Sequence, residues 1–240
     1  MNILDRNRFR RITLLGALIL IVFANDAYAQ AALLGPGAAY IGGGVSQLQT
    51  TNLDDRLSAN GYPTFGRDAV ALGLGAYRIL SSKVMLGFEG TGLIIGEEPH
   101  QGGEVGLGGG YATLGLGYMT QLSPRVRAYP RIGIGAGGFG LWIENADDSI
   151  PFDDVLANPR PVENDETILS RDGFVTDIGA GIEFLPRRRR GPMIGLRFGY
   201  LVAPFSSAWD LFEEGMTTGG PDASISGPYI RVVIGGAWRR

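Results

Sequence analysis

The chain has 240 residues, no cysteine and a formal net charge of −3 at pH 7. The absence of cysteine excludes disulfide bonds, and the mild acidity disfavours a nucleic-acid partner, because such a partner selects a basic surface. Glycine accounts for 39 residues, well above the usual fraction of about 7%. These glycines follow no collagen period; they alternate with aliphatic residues, as in Gly73-Leu74-Gly75.

The first 29 residues predict an export signal. A basic head with four arginines precedes an apolar run over residues 12–24, and Ala27-Tyr28-Ala29 follows. These are the parts of a secretory signal peptide, and the run is shorter than the roughly 20 residues of a spanning helix, which makes an uncleaved anchor the weaker interpretation. We therefore predict cleavage between Ala29 and Gln30. Residues 30–240, with a net charge of −5, would form one domain.

Eight segments of residues 30–240 alternate between apolar residues and glycine or polar residues. They span residues 38–48, 70–80, 84–96, 105–122, 126–144, 174–185, 193–205 and 228–238. A period of two predicts strands with one apolar face. Residues 139, 141 and 143 reverse this alternation after Gly137 and Gly138, which predicts a β-bulge there.

The connections between these segments differ in length in a regular way. Short turns are expected at residues 81–83, 123–125 and 186–192, and long polar loops at 49–68, 97–104, 145–173 and 206–226. Short turns at one end and long loops at the other are typical of bacterial outer-membrane barrels. The predicted fold is therefore all-β: an eight-stranded antiparallel transmembrane β-barrel with short periplasmic turns and long extracellular loops.

The strand alternation also predicts which charged residues face the lumen. The inward set comprises Glu89, Arg131, Asp177, Glu183, Arg197 and Arg231. The interior of an eight-stranded barrel is just wide enough for side chains to fill it. Isolated charges there would be strongly unfavourable, so three acids and three bases predict a paired network. Arg197 and Glu183 are expected to be direct partners, because a short turn joins their strands.

Other candidate sites in the sequence are weaker. The third long loop contains clustered carboxylates, at Asp147, Asp148, Asp153 and Asp154. Oxygen ligands at this density could bind Ca²⁺ weakly, although the spacing is not that of an EF-hand and a solvated loop is the favoured interpretation. The single histidine, His100, is not accompanied by a Gly-x-Ser-x-Gly motif, so we predict no enzyme and no cofactor.

Taken together, these features resemble the small eight-stranded outer-membrane barrels of the OmpA/OmpX type. The resemblance rests on the Ala27-Tyr28-Ala29 signal ending, the eight alternating segments and the closing segment at residues 229–238, and it covers essentially the whole mature chain. One departure is that Arg239 and Arg240 follow Trp238, whereas family members often end on an aromatic residue. The resemblance implies an outer-membrane location, contact with outer-membrane lipid and lipopolysaccharide, and insertion by the barrel assembly machinery.

Three functional hypotheses follow. The first is a non-enzymatic barrel with a filled lumen that serves envelope structure or surface interaction through its extracellular loops. The second is a narrow, porin-like channel for small solutes or ions. The third is a lipid-modifying outer-membrane enzyme. The fold by itself does not choose among them, and the sequence names no external ligand.

Overall fold

The computed structural model describes residues 35–80, 83–100, 103–144, 166–186, 190–205, 209–211, 215–216 and 220–238. The predicted export signal, its cleavage site and the aspartates of the third loop (Asp147, Asp148, Asp153 and Asp154) lie outside these residues and stay predictions.

The described part of the chain contains eight long strands, three two-residue strands and one helix. The long strands are β1 (Gly37–Gln47), β2 (Asp68–Ile79), β3 (Val84–His100), β4 (Gly103–Tyr118), β6 (Val126–Glu144), β7 (Glu166–Phe184), β8 (Arg190–Val202) and β11 (Gly227–Trp238). The short strands are β5 (Thr120–Gln121), β9 (Asp210–Leu211) and β10 (Gly215–Met216), and the helix is α1 (Thr51–Ala59).

The long strands form a closed antiparallel barrel. Their order is β1-β2-β3-β4-β6-β7-β8-β11, and β11 pairs back with β1 from Gly37↔Trp238 to Ser46↔Tyr229. Closure removes the free edges that an open sheet would expose. The predicted eight-stranded barrel is confirmed. Over the described ranges, no helix has the length and hydropathy needed to cross a bilayer.

The two ends of the barrel differ. At one end, here called the turn end, Gly37 pairs with Trp238 and short connections join β2 to β3, β5 to β6 and β7 to β8. The opposite end, the loop end, contains α1 and the connections from β6 to β7 and from β8 to β11. Leu53 and Leu57 of α1 are buried against the barrel, which fixes the helix at the loop end.

Two loop boundaries predicted from the sequence are wrong. Residues 97–104 belong mainly to strands, because Glu97 pairs with Gly106 and His100 with Gly103. β7 begins at Glu166, eight residues before the predicted start, and pairs with β6 throughout. β3, β4, β6 and β7 therefore continue beyond the other strands as a four-strand extension, made of residues 95–100, 103–109, 139–144 and 166–173. Their polar residues predicted a loop because this part of the sheet extends beyond the ring of exposed apolar side chains around the barrel, here called the apolar belt.

That belt surrounds the outside of the barrel. Large apolar side chains with more than half of their surface exposed occur on most of the long strands, at positions that face outward. They include Ile41, Leu72, Leu114, Ile134, Ile178 and Ile234, of which Ile134 is 56% exposed. Soluble monomers rarely expose contiguous apolar patches beyond a few hundred Å². A continuous apolar band on a closed barrel is instead the surface that meets membrane hydrocarbon.

The predicted bulge in β6 is also wrong. The pairing of β6 with β4 and with β7 runs without a register shift through Gly137 and Gly138. Phe139 and Leu141 keep the inward direction of Arg131 and are buried. The alternation reverses in the sequence because the interior itself changes from polar to apolar toward the loop end.

Candidate functional site: the charged lumen

The six predicted lumen residues all lie inside the barrel. Glu89, Arg131, Asp177, Glu183, Arg197 and Arg231 are each at most 8% exposed. They come from five strands, β3, β6, β7, β8 and β11. The structure brings the six together as one connected network.

Glu89 is the centre of this network. One of its carboxylate oxygens, Oε2, lies 2.6 Å from Nη1 of both Arg131 and Arg197, and Oε1 lies 2.6 Å from Nη1 of Arg231. The hydroxyl of Tyr40 donates to Oε2 over 2.9 Å. One buried carboxylate therefore binds three guanidinium groups from three strands, and such charge-assisted bonds are the strongest class of hydrogen bond in proteins.

Asp177 extends the network through Arg131. Nη2 of Arg131 lies 2.8 Å from Oδ2 of Asp177, so this arginine bridges Asp177 and Glu89. Oδ1 accepts a hydrogen bond of 2.7 Å from the hydroxyl of Tyr229. Oδ1 of this fully buried carboxylate is therefore hydrogen-bonded, while Oδ2 is held by the ion pair with Arg131 alone.

Glu183 forms a second centre nearer the turn end. Its Oε2 lies 2.8 Å from Nε of Arg127, and the hydroxyls of Tyr77 and Tyr129 donate to the carboxylate over 2.6 and 2.8 Å. Arg197, the expected partner, is farther away, with Nη2 at 3.6 Å from Oε1. Arg197 thus connects the two centres, while Arg127 is the direct partner of Glu183.

Arg127 is absent from the predicted lumen set although it is only 1% exposed. Its signal was present in the sequence, because Arg127, Tyr129 and Arg131 alternate on one face of β6. With Arg127 included, the described network contains four arginines and three carboxylates, and the predicted equal count is wrong.

Tyrosine rings stabilise the additional positive charge. The guanidinium of Arg197 lies 3.8 Å from the ring centroid of Tyr40, and that of Arg231 lies 4.4 Å from the ring of Tyr229. A cation over an aromatic face is attracted by the ring quadrupole, by about 2 kcal/mol or more where it is desolvated. Tyr40 also accepts a hydrogen bond from Arg197.

Glycines provide the space that these tyrosines occupy. A Cβ added at Gly181 would lie 2.6 Å from the hydroxyl oxygen of Tyr129, and one added at Gly179 or Gly199 would lie 2.7 Å from that of Tyr229. Such distances are shorter than van der Waals contact. The inward glycines of the sequence therefore allow large polar rings to fill a narrow barrel.

Apolar layers cover the network at both ends. At the turn end, the buried layer consists of Met85, Met119, Leu185, Met193, Val233 and Ala237. At the loop end it includes Leu53, Leu57, Val105, Leu107, Phe139, Leu141, Trp209 and Ile225. A void lined by Glu89, Arg131 and Arg197 has a volume of about 10 Å³, room for about one water molecule.

Comparisons with known proteins give structural neighbours but no relative in sequence. No family model matches the sequence, and no curated protein matches it. Among solved structures, the chain is similar to Ail, the attachment invasion locus protein of Yersinia pestis, with a TM-score of 0.45 and 14% identity over 85% of this chain and 97% of that one. It is also similar to the N-terminal β-barrel domain of Pseudomonas aeruginosa OprF, with a TM-score of 0.38 and 12% identity over 85% and 97%. The chain is a closed eight-stranded antiparallel β-barrel with an apolar outer surface. The strand order and the apolar belt are the grounds for that assignment.

Metal binding finds no support in the residues that the structure describes, because no group of three or more histidine, aspartate or glutamate side chains is arranged to hold an ion. The aspartates of the third loop lie outside those residues. A weak Ca²⁺ site there stays a prediction.

Proposed function

We propose that the protein is a closed, non-conducting barrel of the bacterial outer membrane that acts at the cell surface through its loop end. The observation that carries this proposal is the filled lumen, in which Glu89 binds three arginines between two apolar layers. Passage of a solute would require several buried ion pairs to separate. Breaking such a pair costs about 3–5 kcal/mol.

The two ends of the barrel set its proposed orientation. Three short connections and both described chain ends lie at the turn end, while the short β3–β4 connection lies at the loop end, at the tip of the four-strand extension. The end that holds the chain ends and most of the short turns faces the periplasm in bacterial outer-membrane barrels. The loop end then faces the outside of the cell. Within this proposal, the apolar belt contacts outer-membrane lipid and lipopolysaccharide, and the barrel assembly machinery inserts the chain after export.

The loop end supports a surface role because its side chains pack into a defined structure. Trp142 lies on the outer face of the four-strand extension, over Gly106 and Gly108. Inside the barrel, the buried rings of Phe139 and Trp209 pack edge to face, with their centroids 5.4 Å apart. A preorganised surface loses less conformational entropy when a partner binds, so the extension is suited to binding a partner outside the cell.

The catalytic alternative requires a nucleophile beside a general base. The hydroxyl of Ser224 donates instead to Oε1 of Gln49 over 3.3 Å, and that of Ser226 donates to the Ala203 carbonyl over 3.4 Å. These serines therefore have structural partners. The envelope role remains the better supported proposal.

Planar-bilayer recording separates a closed barrel from a channel. The purified full-length protein, shown to be folded by its heat-dependent gel mobility, is added to a planar bilayer. A general porin in a parallel recording is the positive control. We expect no steady single-channel openings above those of protein-free bilayers. Reproducible openings of constant size from the folded protein would contradict the proposal and support the channel.

A further inference from the structure

A second concave site lies at the loop end, apart from the lumen network. Its volume is about 550 Å³, within the range of about 300–1,000 Å³ that is usual for small-molecule sites. The charged residues in its lining are Arg67, Arg171 and Asp222. The net formal charge of the lining is therefore positive, although the net charge of the whole protein is negative.

Arg171 is a buried cation without a close anionic partner. It is 3% exposed, and its Nη1 donates to the carbonyl of Pro221 over 2.9 Å. Oδ1 of Asp222 lies 4.0 Å from Nη2, and the side chain of Asp222 is 78% exposed. Nε of Arg171 has no hydrogen-bond partner among the described residues. Cζ of Arg171 also lies 5.5 Å from the ring centroid of Trp209. A carbonyl and an aromatic ring, and no close carboxylate, therefore surround this guanidinium.

The N-terminus of α1 lines the same cavity through Thr51 and Asn52. The first N–H groups of a helix have no intrahelical acceptor, and the helix dipole adds positive potential there. Thr50, which precedes the helix, makes no side-chain cap bond, because its hydroxyl donates to the Gly66 carbonyl over 2.7 Å. The carboxylate of Asp54 in the first turn accepts from the backbone N–H groups of Phe65 and Gly66.

We propose that this cavity binds an anionic group, a phosphate or a carboxylate, between Arg171, Arg67 and the N-terminus of α1. Helix N-termini that converge with arginines are a common arrangement for oxyanion binding. The anion would reach the site on a soluble molecule or on a lipid headgroup. Tyr200 and Val202 line one side of the cavity and also belong to the outward face of β8, at the edge of the apolar belt. One wall therefore lies at the height of lipid headgroups.

Titration of the full-length protein in an uncharged maltoside detergent tests the site, with inorganic pyrophosphate as the probe and calorimetry as the readout. Arg67→Gln should weaken binding about tenfold, the change that corresponds to about 1.4 kcal/mol. Asp222→Asn, which removes the competing carboxylate, should strengthen binding. Arg56→Gln is the matched control, because Arg56 is an exposed arginine at the other end of α1 and its loss should leave binding unchanged.

The two sources of the anion are distinguished with vesicles of phosphatidylcholine alone or with added lipid A. Saturable binding of pyrophosphate indicates a soluble ligand. Arg67-dependent retention of lipid A, without pyrophosphate binding, indicates a headgroup. Equal effects of Arg67→Gln and Arg56→Gln would overturn the proposal, as would the absence of saturable binding to both probes. Neither result bears on bilayer conductance, so this test and the test of the proposed function fail independently.

Discussion

Nη1 of Arg231 lies 2.6 Å from Oε1 of Glu89 although β11 and β3, which carry these residues, are separated in the barrel by β1 and β2. The two side chains meet across the lumen, where Arg231 also donates to the hydroxyl of Thr91 over 3.0 Å and to that of Tyr111. Backbone hydrogen bonds join only adjacent strands. The lumen network therefore connects walls of the barrel that strand pairing leaves independent.

Replacement of the central carboxylate should weaken the barrel strongly. Glu89→Gln keeps the size of the side chain but removes the charge that binds Arg131, Arg197 and Arg231. We expect the free energy of unfolding to fall by about 3–5 kcal/mol, because buried cations lose their partner. Urea titration in lipid vesicles, followed by gel mobility without boiling, measures this change.

The matched control is Glu97→Gln. Glu97 is on the same strand, but it is exposed at the loop end. Its replacement should change stability by at most about 0.5 kcal/mol. Similar urea midpoints for the two variants would mean that Glu89 is not the centre of a stabilising network.

The second prediction concerns the partner of Glu183. Nε of Arg127 is 2.8 Å from this carboxylate, whereas Nη2 of Arg197 is 3.6 Å away and Nη1 of Arg197 binds Glu89. Double-mutant cycles with alanine should therefore give a larger coupling energy for Arg127 with Glu183 than for Arg197 with Glu183. Contacting residues usually couple by about 0.5–3 kcal/mol. The reverse order would show that the lumen side chains are arranged differently.

The strand pattern and the alternating connection lengths predicted the barrel. The pattern also predicted the inward direction of six lumen charges, because side-chain direction in a strand follows a period of two, but Arg127 was left out of that set. The pattern did not predict which lumen side chains form ion pairs with each other. Arg197 and Glu183 were expected to pair because a short turn joins their strands, yet Arg127 approaches Glu183 more closely from the other neighbouring strand. Which inward side chains meet depends on strand stagger and barrel closure, and these are not local in sequence.

The loop-end features were missed for a different reason. α1 is nine residues long, and an isolated helix of that length is unstable in water; Leu53 and Leu57 stabilise it by packing on the barrel. The anion-binding cavity likewise joins Arg67 and Arg171, which are far apart in sequence. Tertiary contacts form these features, so neither periodicity nor motif spacing could predict them.

The glycine lining gives a third prediction. Gly181→Ala would place a methyl group 2.6 Å from the hydroxyl oxygen of Tyr129, which donates to Glu183. We expect a loss of about 1–3 kcal/mol, typical of overpacking a dense core. Gly90→Ala is the control, because a Cβ there would lie 3.8 Å from a carbon of Phe88, an ordinary van der Waals contact. Equal stability of the two variants in urea titration would argue against tyrosine crowding in the lumen.

The orientation in the membrane is tested with single cysteines, which the sequence allows because it contains none. Glu97→Cys lies at the loop end and Arg125→Cys in a short connection at the turn end, and both positions are exposed. A membrane-impermeant maleimide added to intact cells should label Glu97→Cys and leave Arg125→Cys unlabelled until the cells are opened. Labelling of Arg125→Cys alone in intact cells would mean that the barrel is inserted with the opposite orientation.

The last prediction tests whether the apolar belt faces lipid. Ile134 lies on the outward face of β6, is 56% exposed and sits midway along the belt. In a bilayer, Ile134→Arg should lower the free energy of unfolding by about 2–4 kcal/mol, because a charged side chain at the midplane meets hydrocarbon. Thr120→Arg, at an exposed position of β5 near the turn end, should cost about 0–1 kcal/mol, since the side chain can reach the interface. On a soluble barrel both arginines would meet water, and neither would change stability by more than about 0.5 kcal/mol. Urea titration of both variants, refolded into vesicles of one lipid composition, distinguishes these outcomes. Equal, small losses would contradict a membrane-spanning barrel.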